Sequence, residues 1–171
     1  MRLFAFLRGI NVGGRRPKKD EQIAAVAGPD LDDVSTFLAS GNLLFESSSA
    51  PAKLEARLSG RLETALGYQV ACFVRTLDEL AEIVDDLPAL GPDQKHQVVF
   101  FAEAPDEGVR TAYDAAAGAT DALRWRDREL IWTHVGGMLD SPLAEALPKL
   151  KVPLNTVRTA NTVTRLVARF R

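Results

Sequence analysis

Cysteine is nearly absent: Cys72 stands alone among 171 residues. One thiol excludes an internal disulfide, and with two histidines, His96 and His134, it makes a poor metal cluster. The sequence therefore points to no metal and no cofactor. No apolar run approaches the roughly 18 residues that a membrane span needs, so a membrane partner is not expected. The N-terminal apolar stretch Leu3 to Leu7 is too short for the core of a secretion signal, and Arg8 and a glycine-rich basic segment follow it. The expected location is a reducing cytoplasm. Disorder is excluded as well, because 46% of the residues are hydrophobic and the net charge is only -2.

That small net charge hides a segregation. Residues 1–19 carry Arg2, Arg8, Arg15, Arg16, Lys18 and Lys19 and no acid, and residues 146–171 carry six more basic residues and again no acid. The two ends together hold +12 and the middle -14. Such a pattern suits an anionic partner if the ends meet, and equally suits ends that pair with the acidic middle as solvated surface.

The run Leu-Phe-Ala-Phe-Leu within 2–8 reads as a strand buried on both faces. A short helix follows over 20–27, capped by Asp20 and stopped by Gly28-Pro29. Strands are expected over 34–39 and 43–46, joined by a tight turn at Ser40-Gly41-Asn42. Leu54, Leu58, Leu62 and Leu66 recur every fourth residue, which predicts a helix over 51–66 with Pro51 in its first turn and Gly67 at its end. A fourth strand covers 70–74. Thr76 and Glu79 then have the spacing of a capping box, opening a helix that fades at Leu87-Pro88.

The stretch Pro88-Ala89-Leu90-Gly91-Pro92 is the best linker in the chain. Beyond it the pattern restarts: a strand over 97–102, a helix over 106–117, strands over 122–125 and 130–135, a helix opened by Ser141 or Asp140 and running to about Lys149, and a last helix over 161–170. The first half's order, strand, helix, strand, strand, helix, strand, is the ferredoxin-like plan, and the second half repeats it up to its fourth strand. The expectation is an α+β protein of two tandem ferredoxin-like halves, 1–88 and 93–171, packed together because each is marginal alone.

Three segments resemble signatures of the DUF1697 family: Leu7-Arg8-Gly9-Ile10-Asn11-Val12-Gly13-Gly14, Ser40-Gly41-Asn42-Leu43-Leu44-Phe45, and Asn161-Thr162-Val163-Thr164-Arg165-Leu166. The resemblance spans essentially the whole chain with the motifs in order. It implies a bacterial cytoplasmic protein of two ferredoxin-like halves and no established activity. Two departures stand out. Ser141-Pro142-Leu143 replaces the family's Ser-Lys-Leu, and Arg158-Thr159-Ala160-Asn161-Thr162 replaces its Arg-Asn-Trp-Asn-Thr. A function that needs that lysine or that tryptophan is weakened here.

The loop from Gly9 to Lys19 is the sharpest candidate site. Gly9, Gly13 and Gly14 allow the backbone to approach a ligand and to present N–H groups to an anion, and Arg8, Arg15 and Arg16 add guanidinium forks for phosphate or carboxylate. It is no P-loop, lacking the Gly-Lys-Ser/Thr ending, and no dinucleotide fingerprint. Of the four asparagines, Asn11, Asn42 and Asn161 fall in the family-like segments, and each can orient a polar ligand or serve a turn or cap. Arg158 and Arg165 complete the candidate set if the ends converge. Ser40 has no positioned base, Cys72 reads as a packing residue, and the adjacent acids Asp32-Asp33 and Asp85-Asp86 suggest no dyad. Alternation in Arg124-Trp125-Arg126-Asp127-Arg128 puts an arginine row toward solvent and Trp125 into the core.

The reading that follows is a binding module for an anionic ligand, either a phosphorylated small molecule or a nucleic-acid backbone. The alternatives are an interaction or oligomerisation module, such as a homodimer built through exposed sheet edges, and an enzyme of unassigned reaction.

Overall fold

The opening apolar run forms β1 (Arg2–Arg8) in the computed structural model, which describes residues 1–38 and 41–171. Every residue from Leu3 to Leu7 is buried, so both faces of the strand are covered, as the unbroken apolar run predicts. β1 lies between two antiparallel neighbours, β3 (Asn42–Glu46) and β4 (Ala71–Thr76), and β2 (Asp32–Thr36) pairs with β3. The four strands make a sheet of order β2-β3-β1-β4, with α1 (Lys19–Val26) and α2 (Pro51–Leu66) in the connections. A second four-stranded antiparallel sheet has the order β6-β7-β5-β8. It is built from β5 (Gln94–Phe101), β6 (Ala122–Trp125), β7 (Glu129–Val135) and β8 (Asn155–Thr159). The remaining helices are α3 (Leu77–Asp85), α4 (Glu107–Ala116), α5 (Pro142–Ala146) and α6 (Ala160–Phe170). The protein is thus a mixed α+β protein with two antiparallel sheets and, among the described residues, six α-helices.

Two compact units result: Met1–Ala81 with Leu166–Arg171, and Glu82–Arg165. The division falls within α3, upstream of the Pro88–Pro92 stretch.

In the first unit, Leu3, Ala5 and Leu7 share a face with Leu43, Phe45, Cys72 and Val74, and Leu54, Leu58 and Leu62 of α2 pack onto it. Each of these three leucines is fully buried and stabilises the fold by roughly 2 kcal/mol through removal of apolar surface from water. Phe4, Phe6 and Phe73 fill the opposite face, where Phe170 lies 5.7 Å from Phe4. The edge strand β4 is closed by side chains: Cys72 N–H donates to Ser59 Oγ at 3.1 Å, Val74 N–H to Glu55 Oε1 at 2.9 Å and Thr76 N–H to Glu79 Oε2 at 2.7 Å. These three alternate N–H groups are the ones not used on β1, so the edge offers no free donor row at these positions. The Thr76–Glu79 pair is the expected capping box, since Glu79 N–H also donates to Thr76 Oγ1 at 3.1 Å.

In the second unit, Val99, Phe101, Leu130 and Trp132 pack against Tyr113 of α4 and Leu143 of α5. Trp125 joins this core, stacked on Phe101 at 6.1 Å and edge-on to Tyr113 at 5.3 Å. Asp106 caps α4 through Val109 N–H, and Ser141, not Asp140, caps α5 through Leu143 N–H.

Several expectations need correction. Asp20 lies inside the first turn of α1, whose cap is Lys18, with Glu21 accepting from Lys18 N–H. Asn42 does not stand in a turn but opens β3 opposite Phe6; Ser40 and Ala39 lie outside the described residues. β2 runs over Asp32–Thr36, earlier than 34–39. The helix expected to reach Lys149 is α5 followed by a 3-10 turn over Leu147–Lys149. β8 is a strand that the hydrophobic pattern did not announce. The arginine row is not merely solvated: Arg124 pairs with Asp86 at 2.9 Å, and Arg126 with Glu82 at 2.9 Å and Asp86 at 3.2 Å. No described helix is long and apolar enough to cross a membrane.

Candidate functional site

The basic loop leaves β1 at Arg8 and is fixed at both ends. Near its start, Tyr68 O–H donates to the Ile10 carbonyl at 2.8 Å, and the backbone of Gly9 passes so close to Gln69 that a Cβ would sit 3.2 Å from its carbonyl oxygen. With φ at +82° as well, Gly9 takes a backbone conformation that a side chain would strain. At the far end, the fully buried Gln22 of α1 donates to the Pro17 carbonyl at 2.9 Å and accepts from Gly41 N–H at 3.2 Å. Between these tethers Gly13 and Gly14 take φ of +57° and +78° in open space.

The loop's charged groups face water. Arg8, Asn11, Arg15, Arg16, Lys18 and Lys19 are exposed. Arg15 lies over the Tyr68 ring at 5.0 Å, which steadies the guanidinium without neutralising it. Asn42 differs from these: it is buried, and its amide donates to the Phe37 carbonyl at 3.1 Å. That bond spends a donor on holding the hairpin.

The other three expected residues belong to the second unit. Arg158 is on β8 opposite Val98, and its guanidinium donates to Thr156 Oγ1 at 2.9 Å and to the Val157 carbonyl at 2.8 Å. Burial pushes its pKa down to about 10. Asn161 and Arg165 are exposed on α6, four residues apart and so on one helix face.

Asn161 opens onto a cavity of about 450 Å³ within the second unit, a size typical of small-molecule sites. Its apolar wall is Leu87, Leu90 and Ala160, and its polar wall includes Lys95, Gln97 and Asn161. Thr159 and Thr164 contribute hydroxyls. Ala160, where the resemblance leads one to expect a tryptophan, is part of this wall, whereas Pro142, where it leads one to expect a lysine, is exposed at the start of α5. Sequence reasoning reached the cavity only through Asn161, because its walls are drawn from residues 87–97 and 159–164, far apart in the chain.

His96 borders the cavity but is fully engaged. Its Nε2 meets the Pro88 carbonyl at 2.8 Å and its Nδ1 meets Thr133 Oγ1 at 2.8 Å. A carbonyl only accepts, so Nε2 carries the proton and Nδ1 accepts from the hydroxyl. The ring thereby tethers the Pro88 segment to the sheet. Cys72 is buried, and desolvation pushes its thiol up to about 12, the opposite of a reactive thiolate. Among the described residues, no group of three or more His, Cys, Asp or Glu side chains is placed to hold a metal ion.

The whole chain has a solved structural counterpart. The conserved bacterial protein SP0830 from Streptococcus pneumoniae superposes with a TM-score of 0.80 at 20% identity, over 99% of this chain and 98% of that one. At that identity the likeness concerns the fold. No curated protein matches the sequence. The model of the family described as a protein of unknown function, DUF1697, matches residues 1–131, and on that match the chain belongs to the DUF1697 family.

Proposed function

We propose that the protein is a binding module for an anionic ligand, held at the loop from Gly9 to Lys19. The observation that carries this reading is a cationic segment held in place while its charges stay open. Tyr68 and Gln22 fix the backbone at Ile10 and Pro17, yet Arg15, Arg16, Lys18 and Lys19 form no ion pair with a carboxylate among the described residues. A solvated surface of no further use does not need its backbone anchored by a fully buried glutamine. The ligand class is phosphate-bearing, a small metabolite or a nucleic-acid backbone, because guanidinium forks and glycine-borne N–H groups suit phosphate oxygens.

The same proposal extends to fold and location. Each unit is ferredoxin-like, a reading supported by the equivalent strand orders β2-β3-β1-β4 and β6-β7-β5-β8. The setting is the cytoplasm, supported by the lone buried thiol. A homodimer through sheet edges is the alternative. It loses the β4 edge, where Ser59, Glu55 and Glu79 occupy the outward N–H groups. An enzyme reading draws no support from His96, whose ring nitrogens are both bonded, or from Cys72.

Fluorescence anisotropy of a labelled short RNA and DNA, at low and near-physiological salt, tests the proposal beside a titration with a phosphorylated sugar. Steep salt dependence of nucleic-acid binding, lost in Arg15→Glu/Arg16→Glu, assigns the loop to a phosphate backbone. Saturable binding of the sugar phosphate alone, lost in the same variant, assigns it to a small molecule. Failure of all three probes at low salt refutes the reading.

A further inference from the structure

The cavity in the second unit has a chemistry of its own, independent of the loop. Its lining includes the Lys95 ammonium and no acidic residue. Leu87, Leu90 and Ala160 supply apolar lining beside the polar groups. The most informative wall residue is Gln97, which is only 7% exposed. Its amide nitrogen is placed 3.0 Å from His134 Nε2, and the other end of the amide has no partner among the described residues although Gln97 lines the cavity.

His134 decides which end that is. The ring is fully buried, and its Nδ1 has no hydrogen-bond partner among the described residues. If the Gln97 NH₂ donated to Nε2, the ring proton would sit on Nδ1 as a buried N–H with no acceptor. A half-turn of the amide lets the Gln97 carbonyl accept from Nε2–H and leaves only a lone pair at Nδ1. An orphaned buried N–H is the rarer and costlier of the two. The assignment that avoids the orphaned N–H is therefore the turned amide, with the Gln97 NH₂ group toward the cavity. Together with Lys95 and the Asn161 amide, this makes the lining rich in donors as well as apolar groups.

We propose that this cavity binds a small molecule with an oxyanion head, carboxylate or phosphate, and a short apolar body. Lys95 and the amides of Gln97 and Asn161 hold the head, and Leu87 and Leu90 hold the body. A cation finds no carboxylate on the wall, and a neutral chain leaves the buried Gln97 donors unpaired.

The test uses the full chain and four probes that share a hexyl body: hexanoate, hexyl phosphate, hexylammonium and hexanol. Binding is followed by saturation-transfer NMR and thermal shift. Saturable binding of hexanoate or hexyl phosphate is expected, at least about tenfold tighter than hexanol or hexylammonium, and the tighter of the two acids names the head group. Lys95→Glu and Asn161→Trp change exposed residues, so both variants are expected to fold, and each should weaken the acid about tenfold or more. Gln97→Leu should do the same, with circular dichroism reporting whether its fold survives. Arg15→Glu/Arg16→Glu should leave this binding intact, which separates the cavity from the loop. The proposal is overturned if neither acid binds, if hexylammonium binds as well as the acids, if Lys95→Glu and Asn161→Trp leave binding unchanged, or if the loop variant abolishes it.

Discussion

Asp30 and Asp121 occupy corresponding places in the two units, in the connection from the first helix to the second strand of each sheet. A glycine-opened turn lies at both, closed by Leu31 N–H to the Gly28 carbonyl at 3.1 Å in one and by Asp121 N–H to the Gly118 carbonyl at 3.0 Å in the other. The carboxylates are held by different chemistry. Asp30 is gripped by two arginines one helical turn apart on α2, Arg57 and Arg61, each at 2.5 Å. Among the described residues, no cation pairs with Asp121. Its oxygens accept from Trp132 Nε1–H at 2.9 Å, the Ser141 hydroxyl at 2.7 Å and Gly118 N–H at 2.8 Å. The difference shows that a shared strand order does not dictate its fastenings. Where the neighbouring element is a helix rich in arginine, charge does the holding; where it is a strand and a helix cap, neutral donors do.

The largest expected effect comes from Asp121→Ala. It leaves the indole N–H of a buried tryptophan and the hydroxyl that caps α5 without their acceptor, so it should cost about 3 kcal/mol of stability. Urea unfolding followed by tryptophan fluorescence measures this. A loss below about 1 kcal/mol would mean that water replaces the carboxylate and that the network holds little.

Much of the frame that carries these turns was legible in the sequence. The unbroken apolar run announced β1, the fourfold leucine spacing announced α2, and Thr76 with Glu79 announced a capping box that the structure contains. β8 was not legible. Asn-Thr-Val-Arg-Thr is a short, mostly polar edge strand, and its ladder with β5 comes from tertiary pairing, not from hydrophobic alternation. The basic loop was legible because glycine and arginine are distinctive in composition. Its anchors were not, because Tyr68 and Gln22 look like any tyrosine and glutamine until the fold brings them to Ile10 and Pro17. The Gln97–His134 contact depends on the register of β5 against β7, and no local pattern encodes a register.

Asp30→Ala should be milder than Asp121→Ala, about 1 kcal/mol, because Arg57 remains 42% exposed and water shares its field. Its pH dependence follows from the pKa. The hydrogen bond from Arg61 leads in lowering the Asp30 carboxyl to about 2, against the opposing effect of its burial. A depressed carboxylate stabilises the fold above its unfolded pKa, about 3.9, and loses that contribution as pH falls through the folded value. The stability gap between the parent protein and Asp30→Ala should therefore close between about pH 4 and pH 2. A gap that persists at pH 2 would mean that the arginines act through packing along α2 rather than through charge.

Salt should produce the smallest effect and the sharpest separation of the two sites. At 1 M salt the screening length falls to about 3 Å, so part of the cost of Asp30→Ala should vanish, by a few tenths of a kcal/mol. The Asp121 contacts are hydrogen bonds from uncharged donors, and its carboxyl lies below the ordinary range because those donors outweigh the opposing effect of burial. No cation among the described residues pairs with it for salt to screen, so the cost of Asp121→Ala should be the same at 0.05 M and 1 M. Equal salt sensitivity at the two sites would break the comparison, because it would require a long-range cationic field acting on Asp121 that its direct partners do not supply.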